Sequence, residues 1–155
     1  TMGIEPSKTA RTYLKEKDYI VYESIEDLAK KQPSIKFDVI CYFMVFEHIK
    51  NPIDFLNKQF KILKRGGVII AEIPCANDPL LELYNIPSFN DFYWIMPHYY
   101  YYTPKSIKKL LSKIKCNYKL VPEQRFDLSN HIGWMLYKKP TGNQNYYSKF
   151  LTSSK

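Results

Sequence analysis

Acidic residues, cysteines, glycines and long apolar runs are all scarce in this chain of 155 residues, and each scarcity excludes something. The three cysteines, Cys41, Cys75 and Cys116, are odd in number and scattered, which argues against a disulfide scaffold. Without a CxxC pair, zinc ribbons and fingers drop out as well. The thiols read as buried groups in a reducing cytoplasm, and no basic leader with an apolar core points to export, so the expected location is cytoplasmic. The longest apolar run, Val39 to Phe46, is shut between Asp38 and Glu47. It falls far short of the ~18 residues that cross a bilayer, and no membrane partner is expected. What is abundant is positive charge and aromatic surface: 23 Lys and Arg against 15 Asp and Glu leave +8, and 14 Tyr, 9 Phe and 2 Trp argue for a packed core. Only the polar end, Thr152 to Lys155, is expected to be disordered.

The order of the segments suggests strands separated by crossover helices. Pro6 and Ser7 open a helix to about Lys17, Tyr19 to Tyr22 is a short strand, and Ser24 caps a helix from Ile25 to Lys31. Phe37 to Tyr42 reads as a buried strand. Asn51 and Pro52 begin a helix with Ile53, Leu56, Phe60 and Leu63 on one face, and Gly66-Gly67 are expected to stop it. Val68 to Ile73 is then a second buried strand. Residues 75–103 loosen into Pro, Asn and aromatics, too long for a plain connection, and form a candidate lid or substrate loop. Thr103-Pro104 caps a helix with Ile107, Leu110, Leu111 and Ile114 inside and Lys105, Lys108, Lys109 and Lys113 outside. Tyr118 to Val121 is a candidate strand, the segment from Arg125 to Pro140 has no assignment, and Tyr146 to Leu151 starts a further helix.

Between Asp91 and Glu123 stand lysines and no acid, which makes a positive face. Helical spacing favours a solvated surface over a site for nucleotide diphosphates or RNA phosphates. Glu47-His48 is more informative, because two ionisable residues directly after an apolar run need partners if they are buried. His48 is a candidate base; the alternative is a pair that orients the turn before Pro52.

Four segments stand in a fixed order: GIEP (Gly3 to Pro6), FDVICYFMVFEHIKNP (Phe37 to Pro52), LKRGGVIIAEIP (Leu63 to Pro74) and PHYYYYTPKSIKKLL (Pro97 to Leu111). In that order they resemble the class I S-adenosylmethionine-dependent methyltransferases, in particular the small-molecule branch. Arg125 to Gly142 resembles a further segment of a bacterial subset, so 125–142 is a candidate substrate-side segment. The resemblance implies S-adenosyl-L-methionine as cofactor and assigns roles. Glu5 would accept the ribose hydroxyls from the carboxyl end of a strand, or simply favour the helix dipole. Ser24 and Ile25 would lie near the adenine, or act only as a helix cap. Tyr42 and Phe43 would face the sulfonium, or pack the core. On the acceptor side stand His48 as the catalytic base, then Glu47, His98, Tyr99, Asn130, His131 and Trp134 as substrate-binding residues. Trp134 has core packing, and Asn130 a turn, as the other explanation.

Departures from the family pattern shape the remaining expectations. The glycine-rich loop and first strand would precede GIEP, and no apolar strand follows Leu151. The expected fold is therefore α/β, a single Rossmann-like class I methyltransferase sheet over 1–155 that is incomplete, lacking its first strand and its last. Family strand order then leaves Phe37 to Tyr42 with an open edge, to be covered either by Tyr19 to Tyr22 moving in beside it or by a second copy in a homodimer. Either cover would block cofactor binding. No metal is expected, because the members that bind a divalent ion carry a Glu three residues before the EH pair, where this chain has Met44. The sequence reading is thus a fragment of a methyltransferase whose intact parent acts on O or N of a small polar, sugar-like acceptor, with activity of this chain alone left open. A catalytically inactive interaction domain is the alternative, and an RNA methyltransferase stands third, with nucleic acid not expected as a partner.

Overall fold

The computed structural model describes residues 1–114 and 116–142, with strands β1 (Gly3–Ile4), β2 (Val21–Tyr22), β3 (Phe37–Phe43) and β4 (Leu63–Glu72) and helices α1 (Lys8–Glu16), α2 (Ile25–Lys31), α3 (Pro52–Ile62), α4 (Pro79–Glu82), α5 (Pro87–Tyr93), α6 (Pro104–Ser112) and α7 (Leu128–Tyr137). The helix expected over Tyr146 to Leu151 and the polar end Thr152 to Lys155 lie outside the described residues. The chain divides into two compact units: Thr1–Phe46 with Asn51–Glu72, and Glu47–Lys50 with the chain from Ile73 on. Among the described residues, no helix is long and apolar enough to cross a membrane.

The first unit is built from two βαβ pieces. β1 and β2 pair in parallel, Gly3 opposite Val21 and Ile4 opposite Tyr22, with α1 as the crossover. β3 and β4 pair in parallel from Val39 opposite Val68 to Phe43 opposite Glu72, with α3 as theirs. Parallel strands need such a crossover, which is why short apolar runs alternate with amphipathic ones. The helix starts are local chemistry. Ser7 Oγ accepts from the Ala10 N–H and Ser24 Oγ from the Asp27 N–H, each closing an orphaned donor of the first turn. Between the two pieces Lys58 of α3 bridges to Glu26 of α2 at 2.8 Å and to Asp54 at 2.7 Å.

Three expectations need correction here. Gly66-Gly67 do not end α3, which stops at Ile62 as Leu63 turns extended; they lie inside β4. Gly66 has φ +81°, and a Cβ on Gly67 would stand 2.9 Å from the Asp38 carbonyl, so both glycines let β4 approach β3 where the register shifts. Neither β3 nor β4 is wholly buried: Val39, Phe43, Val68 and Ile70 are each about half exposed on one face, while Ile40 and Tyr42 turn inward. Finally, Tyr19 to Tyr22 does not move beside Phe37 to Tyr42. β2 pairs with β1, and β3 has β4 as its strand partner.

The second unit carries helices α4 to α7. α4 and α5 each begin at a proline, and Asp78 Oδ1 accepts the Leu80 N–H at 2.8 Å, so the prolines of the expected lid open helices. Leu80, Leu81 and Phe89 pack on Trp134 of α7 as a core, with Phe89 and Trp134 in edge contact at 5.0 Å. Segment 75–103 is closed at its ends, since Cys75 and Tyr102 form a parallel bridge and the Ala76 N–H donates to the Tyr102 carbonyl at 2.9 Å. Thr103 and Ser106 make a reciprocal capping box on α6, with Ile107 buried and Lys105, Lys108, Lys109 and Lys113 exposed. Tyr118 to Val121 is exposed and is not a strand, whereas the unassigned 125–140 region is largely α7, capped by Asp127.

Candidate functional site

The apolar run of β3 ends in a left-handed residue, Met44 (φ 53°), and then in a single 3-10 turn, Phe46–His48. Phe46 turns inward, 3% exposed, against Tyr42 and Phe55. The residue after it, Glu47, belongs to the second unit and is fully buried at 0% exposure. Its carbonyl accepts the Tyr99 N–H at 2.9 Å and the Tyr100 N–H at 3.3 Å, while Tyr100 Oη donates to the Lys50 carbonyl at 3.0 Å. Three hydrogen bonds, two of them between backbones, therefore clamp 47–50 onto the tetra-tyrosine segment.

That clamp brings two histidines together. The His48 and His98 rings meet edge-on with centroids 4.6 Å apart. His48 Nδ1 lies 3.1 Å from the Pro97 carbonyl. A carbonyl only accepts, so Nδ1 carries a proton, and in the neutral imidazole this leaves the lone pair on Nε2. Burial, and next the nearby His48, hold the His98 imidazole below its ordinary pKa and so favour its neutral form, against the opposing pull of Glu47. One donor atom each from Glu47, His48 and His98 falls within 4.8 Å of the others. Neither Glu47 carboxylate oxygen has a hydrogen-bond partner among the described residues, and the same holds for His98 Nδ1.

Aromatic rings continue from the histidine pair. Tyr101 lies 5.0 Å from His98 and 4.4 Å from Trp94, and its hydroxyl donates to the Tyr93 carbonyl at 2.8 Å. Tyr93 in turn donates to the Cys75 carbonyl at 2.7 Å, and burial foremost pushes its phenol well above the usual tyrosine range. Burial likewise pushes the Tyr102 phenol up to about 12. Tyr99 is 60% exposed, and its backbone N–H is held by the Glu47 carbonyl. Tyr93, Trp94 and Tyr101 were not singled out from the sequence. The HYYYY run marked the neighbourhood, but which tyrosine turns toward the histidines depends on the turn at Pro97.

Elsewhere the candidate residues are more divided. On α7, Asn130 is buried and its Oδ1 accepts the N–H groups of Thr141 and Gly142, both at 3.2 Å. His131 Nε2 meets Gln124 Nε2 at 2.9 Å, and Trp134 belongs to the core. Asn130 ties α7 to 141–142, His131 meets Gln124 and Trp134 packs on Leu80, Leu81 and Phe89, and none of the three is brought into the Glu47, His48 and His98 cluster. In the first unit, Glu5 follows β1, Ser24 and Ile25 follow β2, and Tyr42 and Phe43 end β3, so all five stand at carboxyl ends of parallel strands. Glu5 Oε1 accepts the Ser7 N–H at 2.8 Å, and Oε2 accepts from no described residue. Ser24 Oγ is committed to its cap, accepting from Asp27 at 3.1 Å. Tyr42 packs against Phe46 and Phe55, whereas Phe43 is 55% exposed.

A family model described as a methyltransferase domain matches residues 1–121. No curated protein matches the chain.

Proposed function

This chain belongs to the methyltransferase domain family, and on that premise we propose that it has a Rossmann-like class I arrangement and transfers a methyl group from S-adenosylmethionine to O or N of a small polar acceptor. When bound, the cofactor supplies a methyl group on a sulfonium, which departs by in-line displacement. Ligands of parallel α/β sheets sit beyond the carboxyl ends of the strands. Glu5, Ser24, Ile25, Tyr42 and Phe43 all stand at such ends, and the Oε2 atom of Glu5 remains for ribose hydroxyls. Phe43, exposed at the end of β3, offers an aromatic surface to a cation.

The observation that carries the acceptor side is the tautomer of His48. With Nδ1–H on Pro97, the Nε2 lone pair is the atom that takes a proton from a hydroxyl or amine. Glu47 and His98 converge on it, and Tyr101 and Trp94 extend the wall with apolar faces and one polar edge, a surface suited to a ring-bearing or sugar-like acceptor. Alignment and removal of one proton are most of what the displacement demands of a protein.

The test is transfer of labelled methyl from S-adenosylmethionine to a panel of small alcohols, sugars, phenols and amines. His48→Ala is expected to lower turnover roughly 100-fold or more while leaving cofactor affinity within about twofold. Equal loss of both, or no acceptor in the panel, overturns the assignment.

A further inference from the structure

A cleft of about 520 Å³ lies between the start of α5 and the end of α7, within the second unit, and shares no residue with the Glu47, His48 and His98 cluster. Its size suits a small molecule, for which sites run to ~300–1,000 Å³. Tyr84, 42% exposed, and Trp134, 3% exposed, supply aromatic lining, and Asn85, Ser88, Asp91 and Lys138 supply polar groups. All four polar side chains have capacity to spare. Those of Asp91 and Lys138 enter none of the ion pairs among the described residues. Asn85 Oδ1 accepts from Asn90 Nδ2 at 3.3 Å, which leaves the Asn85 amide donors. Ser88 Oγ is buried without a partner among the described residues, and one turn about χ1 brings it to the cleft that its residue lines.

The same residues are held against local preference. Two of the four non-glycine residues with positive φ among the described residues line this cleft, Asn85 (φ 43°) and Lys138 (φ 56°). Asparagine enters the left-handed region at little cost, but Lys138 closes α7 where glycine is the usual residue. Asp91 lies in the last turn of α5, at the negative end of the helix dipole. Local choices of this kind collect at sites that use them.

We propose that this cleft binds a neutral sugar ring, a pyranose with several free hydroxyls. The two charges decide the class of ligand. An anion meets Asp91 and a cation meets Lys138, whereas a hydroxyl both donates to a carboxylate and accepts from an ammonium. Four separate polar groups around one cleft match the hydroxyls of a ring better than the two charges of a zwitterion, since exposed ion pairs gain little. The apolar C–H face of the ring then lies on the Tyr84 ring, which His131 backs edge-on at 6.4 Å. Only the use of this grip, to hold the unreactive part of a methyl acceptor, rests on the reading above.

The probes are the methyl α-glycosides of glucose, galactose and mannose, with the uronate and the amino sugar of each as charged counterparts and free alanine as the zwitterion. Saturation-transfer NMR and tryptophan fluorescence follow binding to the full chain; in Trp94→Phe, Trp134 is the tryptophan that remains. At least one neutral glycoside is expected to bind in the millimolar range, and its charged counterparts roughly fivefold more weakly. Asp91→Ala and Lys138→Gly should each weaken binding roughly tenfold. Lys138→Gly, freed of the left-handed strain, should nevertheless melt no lower than the native chain. Lys139→Ala changes a lysine that does not line the cleft and should bind as the native chain does. Melting curves show whether Asp91→Ala folds, and Asp91→Asn replaces it if it does not. Binding by none of the three glycosides, binding indifferent to Asp91 and Lys138, or tighter binding of a charged counterpart or of alanine overturns the proposal. Glycoside binding without methyl transfer strikes the functional reading alone, and methyl transfer without glycoside binding strikes this one alone.

Discussion

Among single side chains, Glu5 shows how one carboxylate can be divided between structure and ligand. Oε1 is taken by the Ser7 N–H, which helps start α1, and its main-chain carbonyl accepts from Arg11 Nη1 at 2.7 Å. If Oε2 serves the cofactor ribose, Glu5→Ala removes a charge-assisted contact of about 1.5–3 kcal/mol, so S-adenosylmethionine should bind roughly ten- to hundredfold more weakly by calorimetry. Glu5→Gln, which retains an acceptor for Ser7, should recover the fold fully and the affinity only in part. Unchanged affinity in Glu5→Ala would return the residue to a purely helix-starting role. The residues legible from sequence at this scale were those whose chemistry is costly on its own. Glu47-His48 stood out because ionisable groups directly after an apolar run demand partners. Asn130 and Trp134 look equally functional as residue types, and their commitment to Thr141 and to Phe89 becomes visible only in three dimensions.

For whole elements, the split between local and distant causes is sharper. α2 runs over the predicted Ile25 to Lys31, and the Thr103-Pro104 start of α6 held, since caps and prolines act within one turn of chain. A glycine pair ends a helix or admits a close strand equally well, and the Asp38 carbonyl that decides the matter lies 29 residues before Gly67. Gly133 poses the same choice within α7. Glycine to alanine inside a helix ordinarily stabilises by ~1 kcal/mol. Here a Cβ would come within 2.3 Å of Thr141 Oγ1, which is bonded to the Ser129 carbonyl at 3.0 Å. Displacing Thr141 also breaks the contacts of Asn130 with 141–142. Gly133→Ala is therefore expected to destabilise by about 1–3 kcal/mol in urea denaturation. With Thr141→Ala already present, most of that cost should disappear.

Over the whole molecule, the carboxylates that are paired should make the protein sensitive to acid. The Lys58 ammonium, hydrogen-bonded to Glu26, draws that carboxyl down to about 2, and Lys31 and Lys64 hold Asp27 and Asp38 below the usual carboxylate range. A folded pKa below the unfolded one means that the unfolded chain binds more protons between the two values, so stability rises with pH there. The contribution of Glu26 is thus fully present above its ordinary value of 4.5 and is lost as pH falls toward about 2. Protonation also raises a net charge that is already +8 at pH 7, adding self-repulsion to the loss of pairing. The urea midpoint is expected to fall steadily from about pH 5 to about pH 2.5, and ~1 M salt, which screens beyond ~3 Å, should restore the repulsive part only. Glu26→Gln separates the two causes. It should be less stable than the native chain at neutral pH and indistinguishable from it near pH 2, where Glu26 is itself becoming neutral. A gap between the two proteins that stays constant across that window would show that the bridge from α2 to α3 contributes no pH-linked stability.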